Sequence, residues 1–167
     1  PGAPPPATPA PRARRPRATA TRDGPLAVVD LDRFDANADE LLARAGGVPV
    51  RVASKSVRVR SLVARAGERG FQGVMAYSVR EALWLVESGV RDVLVGYPSV
   101  DRGALAALAR HEAGRREVTL MVDDAAHLEL VRHALAETGT GDEPPVRVCL
   151  DVAASLRVGR GLVPVPL

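Results

Sequence analysis

The 167-residue chain is 46% hydrophobic and 26% charged, ordinary for one globular core, and its single cysteine, Cys149, excludes an intrachain disulfide. Aromatic residues make up only 3%, which argues against a stacking platform for single-stranded nucleic acid, and no apolar run reaches the ~18 residues of a membrane span. The net charge of +3 belongs to a tail: residues 1–22 carry five arginines and no acid, so the rest of the chain is net −2. With no apolar leader-like segment at the start and one lone cysteine, a cytoplasmic protein is expected.

Residues 1–24 are rich in Pro, Ala and Arg without a hydrophobic period and read as a disordered arm. From Pro25 onward β-branched runs alternate with amphipathic stretches. Leu26–Asp30 reads as a strand and Asp32–Ala45 as a helix stopped by Gly46-Gly47. Val50–Ser54 is a second strand, Val57–Arg69 a helix ended by Gly70, and Gly73–Tyr77 a strand. Ser78 with Glu81 forms a capping box for the helix that follows, which ends at Gly89. Asp92–Tyr97 is a strand, and Asp101–Arg110 a helix capped by its aspartate. Val118–Val122 is a strand, and Asp123 or Asp124 caps a helix running to about Glu137. Val146–Asp151 is the last clear strand, and Val158–Leu167 follows no period.

Strands alternating with helices at this spacing predict a parallel sheet with crossover helices. No Gly-x-Gly-x-x-Gly follows the first strand, so a dinucleotide-binding sheet lacks its fingerprint. The expected fold class is therefore α/β, a partial (β/α)8 TIM-type barrel of which this chain is the N-terminal part, since a whole barrel needs roughly 250 residues. Residues 25–159 form that part, and 160–167 an irregular end.

Arginine outnumbers lysine 22 to 1, and the single lysine, Lys55, closes the run Val48-Pro-Val-Arg-Val-Ala-Ser-Lys55. A lysine amine can lose its proton and condense with a carbonyl, whereas guanidinium stays protonated and is a poor nucleophile. Barrel enzymes hold their reactive groups at the C-terminal ends of strands, where Lys55 falls. Strand alternation would turn Arg51 and Lys55 inward, the arginine near the amine and paired with an acid such as Asp151. The other polar residues carry weaker signals. His111, His127 and His133 lie in helix patterns as surface residues without metal-ligand spacing, Cys149 alternates into a strand core, and Trp84 with Leu85 reads as a packing face.

Taken together, Val29-Asp-Leu-Asp-Arg-Phe-Asp-Ala-Asn37 and Arg51-Val-Ala-Ser-Lys55-Ser resemble the N-terminal domain shared by D-threonine aldolases and alanine racemases. Tyr77-Ser-Val-Arg-Glu-Ala82 and Ser88-Gly-Val-Arg-Asp-Val-Leu-Val95 are similar to a later block of the aldolase branch, as is Val148-Cys-Leu-Asp151 through Arg157-Val-Gly159. The resemblance implies a pyridoxal-phosphate barrel in which Lys55 carries the cofactor and Arg157 approaches its ring or the substrate carboxylate. It implies a lyase or deaminase acting on a small amino acid, with full-length relatives as homodimers; composition, not the resemblance, argues against membrane and nucleic acid as partners. Val59 stands where racemases carry a tyrosine, and Ala53 and Val57 stand where aldolases carry histidines. The phosphate clamp, and the aldolases' metal ligands, come from later sequence in those families; no metal residue is assigned here. Three alternatives stay open: an alanine racemase, a non-catalytic carrier of pyridoxal phosphate, and an inactive remnant whose isolated chain does not turn over.

Overall fold

The computed structural model describes residues 19–139, 144–152, 156–158 and 161–163, the last two segments by their backbone alone. Most of the arm expected over 1–24, and most of the irregular end expected over 160–167, lie outside the described residues. The chain divides into two compact units, the first ending at Asn37 and the second beginning at Ala38.

In the first unit, Leu26–Asp30 takes no regular structure, and Leu26, Val28 and Val29 are exposed. The strand expected there is a correction with a plain cause. Propensity favours an extended chain, but a strand exists only as a ladder, and the described residues provide this segment with none. Asp30 instead opens helix α1, Leu31–Ala45, its carboxylate accepting from the Arg33 amide at 3.3 Å.

The second unit contains one five-stranded sheet in the order β1-β2-β3-β4-β5, every neighbouring pair parallel. The strands are β1 (Val52–Ala53), β2 (Val74–Ala76), β3 (Val93–Val95), β4 (Val118–Val122) and β5 (Arg147–Leu150). Between them run α2 (Ser54–Val57), α3 (Arg60–Arg69), α4 (Val79–Glu87), α5 (Arg102–Arg110), α6 (Glu112–Glu117) and α7 (Ala125–Thr138). A separate antiparallel hairpin pairs β6 (Leu156–Val158) with β7 (Gly161–Val163).

Chain order equal to strand order follows from local connections: each helix returns the chain one step along the sheet. The caps match their sequence signals. Ser78 Oγ accepts from the Glu81 amide at 3.2 Å, and the Glu81 carboxylate reaches back to the Tyr77 amide at 2.6 Å. Asp101 caps α5 by accepting from the Ala104 amide at 2.9 Å, and Asp124 caps α7 through the Ala126 amide at 2.8 Å. The core forms where α4, α6 and α7 lie on the strands and α5 packs against those helices, with Leu85, Leu108, Val79, Val93, Val95 and Val118 fully buried. Among the described residues no helix is long and apolar enough to cross a membrane.

The stretch after β1 differs from expectation. The single helix read over Val57–Arg69 is two, broken at Arg58, whose φ of 53° is left-handed. The strand is short for the same reason: a helical turn begins at Ser54, so alternation stops one residue before Lys55. Helix α6 carries no legible hydrophobic period because six residues do not complete two turns.

Candidate active site

The two ends of the sheet have different chemistry. At the N-terminal end, the residue before β1 is Arg51, before β2 Gly73, before β3 Asp92 and before β4 Glu117. Arg51 grips Asp92 bidentately, its Nε donating to Oδ2 and an Nη to Oδ1, both at 3.0 Å. The Asp92 amide donates to Glu117 Oε2 at 3.1 Å, and the Asp92 carbonyl accepts from Val74 at 3.0 Å. Gly73, at φ 81°, leaves room for this, since a Cβ there would collide with the Asp92 carbonyl oxygen. Arg51 therefore serves a structural clasp. The expectation of Arg51 turned inward beside Lys55, paired with Asp151, is corrected: the partner is Asp92, and Asp151 uses its amide to continue the ladder to the Val122 carbonyl at 2.9 Å.

At the C-terminal end stands Lys55, exposed rather than buried, in the first turn of α2. Its Nζ donates to Tyr97 Oη at 2.6 Å and lies 5.1 Å from the centre of the Tyr97 ring. Tyr97 follows β3 by two residues, and its ring meets Tyr77, just after β2, edge-on at 5.8 Å. Three strand ends thus converge on one amine. The partner is a phenol oxygen rather than a carboxylate, and Lys55 forms no ion pair among the described residues.

A cleft of about 420 Å³ opens beside Lys55. Val63, Trp84 and Leu85 make an apolar wall, and Ser54, Arg58, Arg60 and Glu81 supply polar groups. Ser54 is buried at 3% exposure and its Oγ has no hydrogen-bond partner. Arg58 closes the turn around the lysine: its amide donates to the Ser54 carbonyl at 2.7 Å and its Nε to the Lys55 carbonyl at 3.0 Å. Trp84, expected on a packing face with Leu85, is 48% exposed, because Leu85 rather than its neighbour points at the sheet.

Further round the same rim, Asp101 has its carboxyl held below the ordinary 3.8, first by the Ala104 amide and then by the Arg80 guanidinium. His127 and His133 lie on α7 and His111 between α5 and α6, each near an acid: His111 Nε2 lies 3.7 Å from Glu87, His127 Nδ1 3.0 Å from Asp123 and His133 Nε2 3.0 Å from Glu137. His111 also caps α6, its Nδ1 accepting from the Gly114 amide at 2.8 Å. Among the described residues no three His, Cys, Asp or Glu side chains are placed to hold a metal. Cys149 is half-buried on β5. Arg157 sits on β6, paired in register with Leu162, and its side chain is outside the described residues. Lys55 was legible in the sequence as a candidate and Trp84 only as a packing face, whereas the contacts of Tyr97 with the amine and of Tyr77 with Tyr97 were not. The two tyrosines each follow a predicted strand, a positional signal that could have marked them.

No protein-family model matches the chain. A curated D-threonine aldolase from an Arthrobacter species is 29% identical over 141 residues, which is 83% of this chain and 35% of that protein. The crystal structure of D-threonine aldolase from Filomicrobium marinum superposes with a TM-score of 0.67 at 27% identity, covering 82% of this chain and 37% of that one. A D-threo-3-hydroxyaspartate dehydratase variant in its metal-free form gives a TM-score of 0.68 at 24% identity, a likeness of fold, over 84% of this chain and 37% of its own. The partial barrel expected from the sequence is borne out: the five-stranded parallel sheet with its helices matches a part of these larger barrels. In sequence and in fold the chain is similar to the D-threonine aldolases, and it spans 35% to 37% of the length of the relatives it matches.

Proposed function

We propose that this chain is the lysine-bearing part of a pyridoxal-phosphate-dependent lyase acting on a small hydroxy amino acid, with Lys55 holding the cofactor. The observation that carries the reading is the position of Lys55. The chain's one lysine stands at the C-terminal end of the parallel sheet, on the wall of a cleft, with its amine free of any carboxylate among the described residues. The relatives named as an aldolase and a dehydratase support the lyase class over a racemase. Val59 in place of the racemases' tyrosine points the same way.

The residues present fit the group. Its aldehyde needs a primary amine, which only Lys55 among the side chains provides. Its ring needs a cleft of a few hundred Å³ with an apolar wall, and its polar substituents need donors; the orphaned Ser54 hydroxyl is one such group. When bound, pyridoxal phosphate supplies an electron sink for bond cleavage at the substrate Cα. The chain's own residues supply position and proton handling. Lys55 Nζ, once released, takes up or returns a proton at the reacting carbon; Tyr97 Oη, 2.6 Å away, fixes where that nitrogen sits. Tyr77 braces the Tyr97 ring, and the Trp84–Leu85 wall limits water on one side. Arg157 as a partner of the ring or the substrate carboxylate, residues 25–159 as the domain, homodimers and a cytoplasmic location belong to the same proposal.

An absorbance titration with pyridoxal phosphate, then borohydride reduction and peptide mapping, tests it. A reduced adduct on Lys55 that forms only with folded protein is the expected result, followed by turnover of D-hydroxy amino acids in the full-length context. An adduct confined to the N-terminal amine, or one unchanged by unfolding, overturns the assignment. Adduct formation with no turnover of any amino acid, even full-length, leaves the carrier reading in its place.

A further inference from the structure

Helix α3 begins in the wall of the Lys55 cleft, and no side chain caps it: Val59 occupies the N-cap position and offers no oxygen. The amides of Leu62 and Val63 both turn to the Val59 carbonyl, at 3.0 and 3.1 Å, which leaves the first helical amides for an outside acceptor. A ten-residue helix with an open amino end attracts an anion. Two independent features point to the same ligand. Ser54 lines the cleft with a buried hydroxyl that has no partner, and Arg58 and Arg60, both in the cleft lining, form no ion pair among the described residues. Arg58 is held in place at a left-handed φ of 53°, with Nε committed to the Lys55 carbonyl, so its Nη groups remain for a ligand. Against these cations the lining holds one acid, Glu81, already engaged with the Tyr77 amide.

We propose that the amino end of α3, with Arg58, Arg60 and the Ser54 hydroxyl, is a binding subsite for a compact oxyanion, a carboxylate or a phosphate group. The subsite does not depend on Lys55 carrying a cofactor. Neither the clasp at Arg51 nor the lysine–tyrosine contact uses these groups, and an anion in the cleft would meet guanidinium groups that have no acid partner among the described residues, in the same lining as an unpartnered hydroxyl.

Amide NMR of the 167-residue chain, titrated with inorganic phosphate and, separately, with malonate, tests the subsite without any cofactor; sodium chloride at matched ionic strength is the control. Saturable shifts at the Arg60 and Ser61 amides beyond the chloride control are expected. Tighter binding of malonate assigns the site to a carboxylate, and tighter binding of phosphate to a phosphate group. Arg60→Ala should weaken the binding about tenfold through loss of a charge-assisted hydrogen bond. Val59→Asp supplies the missing cap from within, so it should abolish anion binding while the melting temperature stays level or rises. That second variant separates loss of the site from loss of the fold. Shifts no larger than with chloride, or binding unchanged in both variants, overturn the proposal. A Lys55 adduct with pyridoxal phosphate in that case leaves the function proposed above standing, and anion binding without an adduct leaves only the subsite.

Discussion

The two ends of the sheet show how one architecture separates stability from chemistry. At the N-terminal end, polar groups meet partners: the Arg51 guanidinium pairs with the Asp92 carboxylate, and the Asp92 amide donates to Glu117. At the C-terminal end a primary amine meets a phenol, and among the described residues two guanidinium groups meet no acid and a buried hydroxyl meets no partner. Satisfied polar groups fix strand order. Unsatisfied ones are available to a ligand, and of these only the buried Ser54 hydroxyl carries a desolvation cost that a partner would offset. The first end clasps and the second waits.

The largest test of this contrast is Lys55→Arg, which keeps the charge but should abolish the borohydride-trapped adduct completely, because guanidinium does not condense with the aldehyde. Peptide mapping of the reduced protein reads that outcome; any adduct left in the 51–60 region breaks the comparison. At the opposite end, Gly73→Ala should cost on the order of 2 kcal/mol or more in urea unfolding, from strain at φ 81° and the clash with the Asp92 carbonyl. Its adduct per folded molecule should be unchanged. Tyr97→Phe keeps the ring and removes the hydroxyl, so the yield of Lys55 adduct at limiting cofactor should fall about fivefold, the worth of one hydrogen bond. Arg51→Ala should cost no more than ~1 kcal/mol, since the pair is 43% and 39% exposed, and that loss should shrink in high salt.

The smallest effect concerns Asp101. Its carboxyl titrates below 3.8 in the fold, so the capped and paired anion stabilises above that pH. That contribution disappears as pH falls through the depressed value. Acid unfolding of Asp101→Asn, which keeps a capping oxygen but cannot ionise, should lack this component below about pH 4. An acid limb identical to that of the parent chain would remove Asp101 from the account.

A second contrast, between β4 and β5, explains which expectations failed. Both strands are short and rich in Val and Leu, and both pair in parallel. β4 alternates buried and half-buried residues because strands lie on both its edges and helices cover it, whereas β5 is the sheet's edge and leaves Leu150 69% exposed. Leu26–Asp30 goes one step further: apolar and β-branched, it has no ladder at all among the described residues. Pattern predicts a strand's readiness, and neighbours decide whether it becomes one.

The sequence by itself determined the alternation of strands and helices, the caps at Ser78 and Asp101 and at one of Asp123 and Asp124, and the parallel sheet, and it marked Lys55 as the candidate amine. These depend on local periods, on side chains three or four residues apart, and on chemistry that one residue type alone can perform. Only the tertiary structure decided that Arg51 and Lys55 serve opposite ends of the sheet, that Asp92 rather than Asp151 is the clasp, and that Tyr97 holds the amine. Those contacts span 41 and 42 residues of chain. Such separations are bridged by strand register, which side-chain periodicity within a segment does not encode.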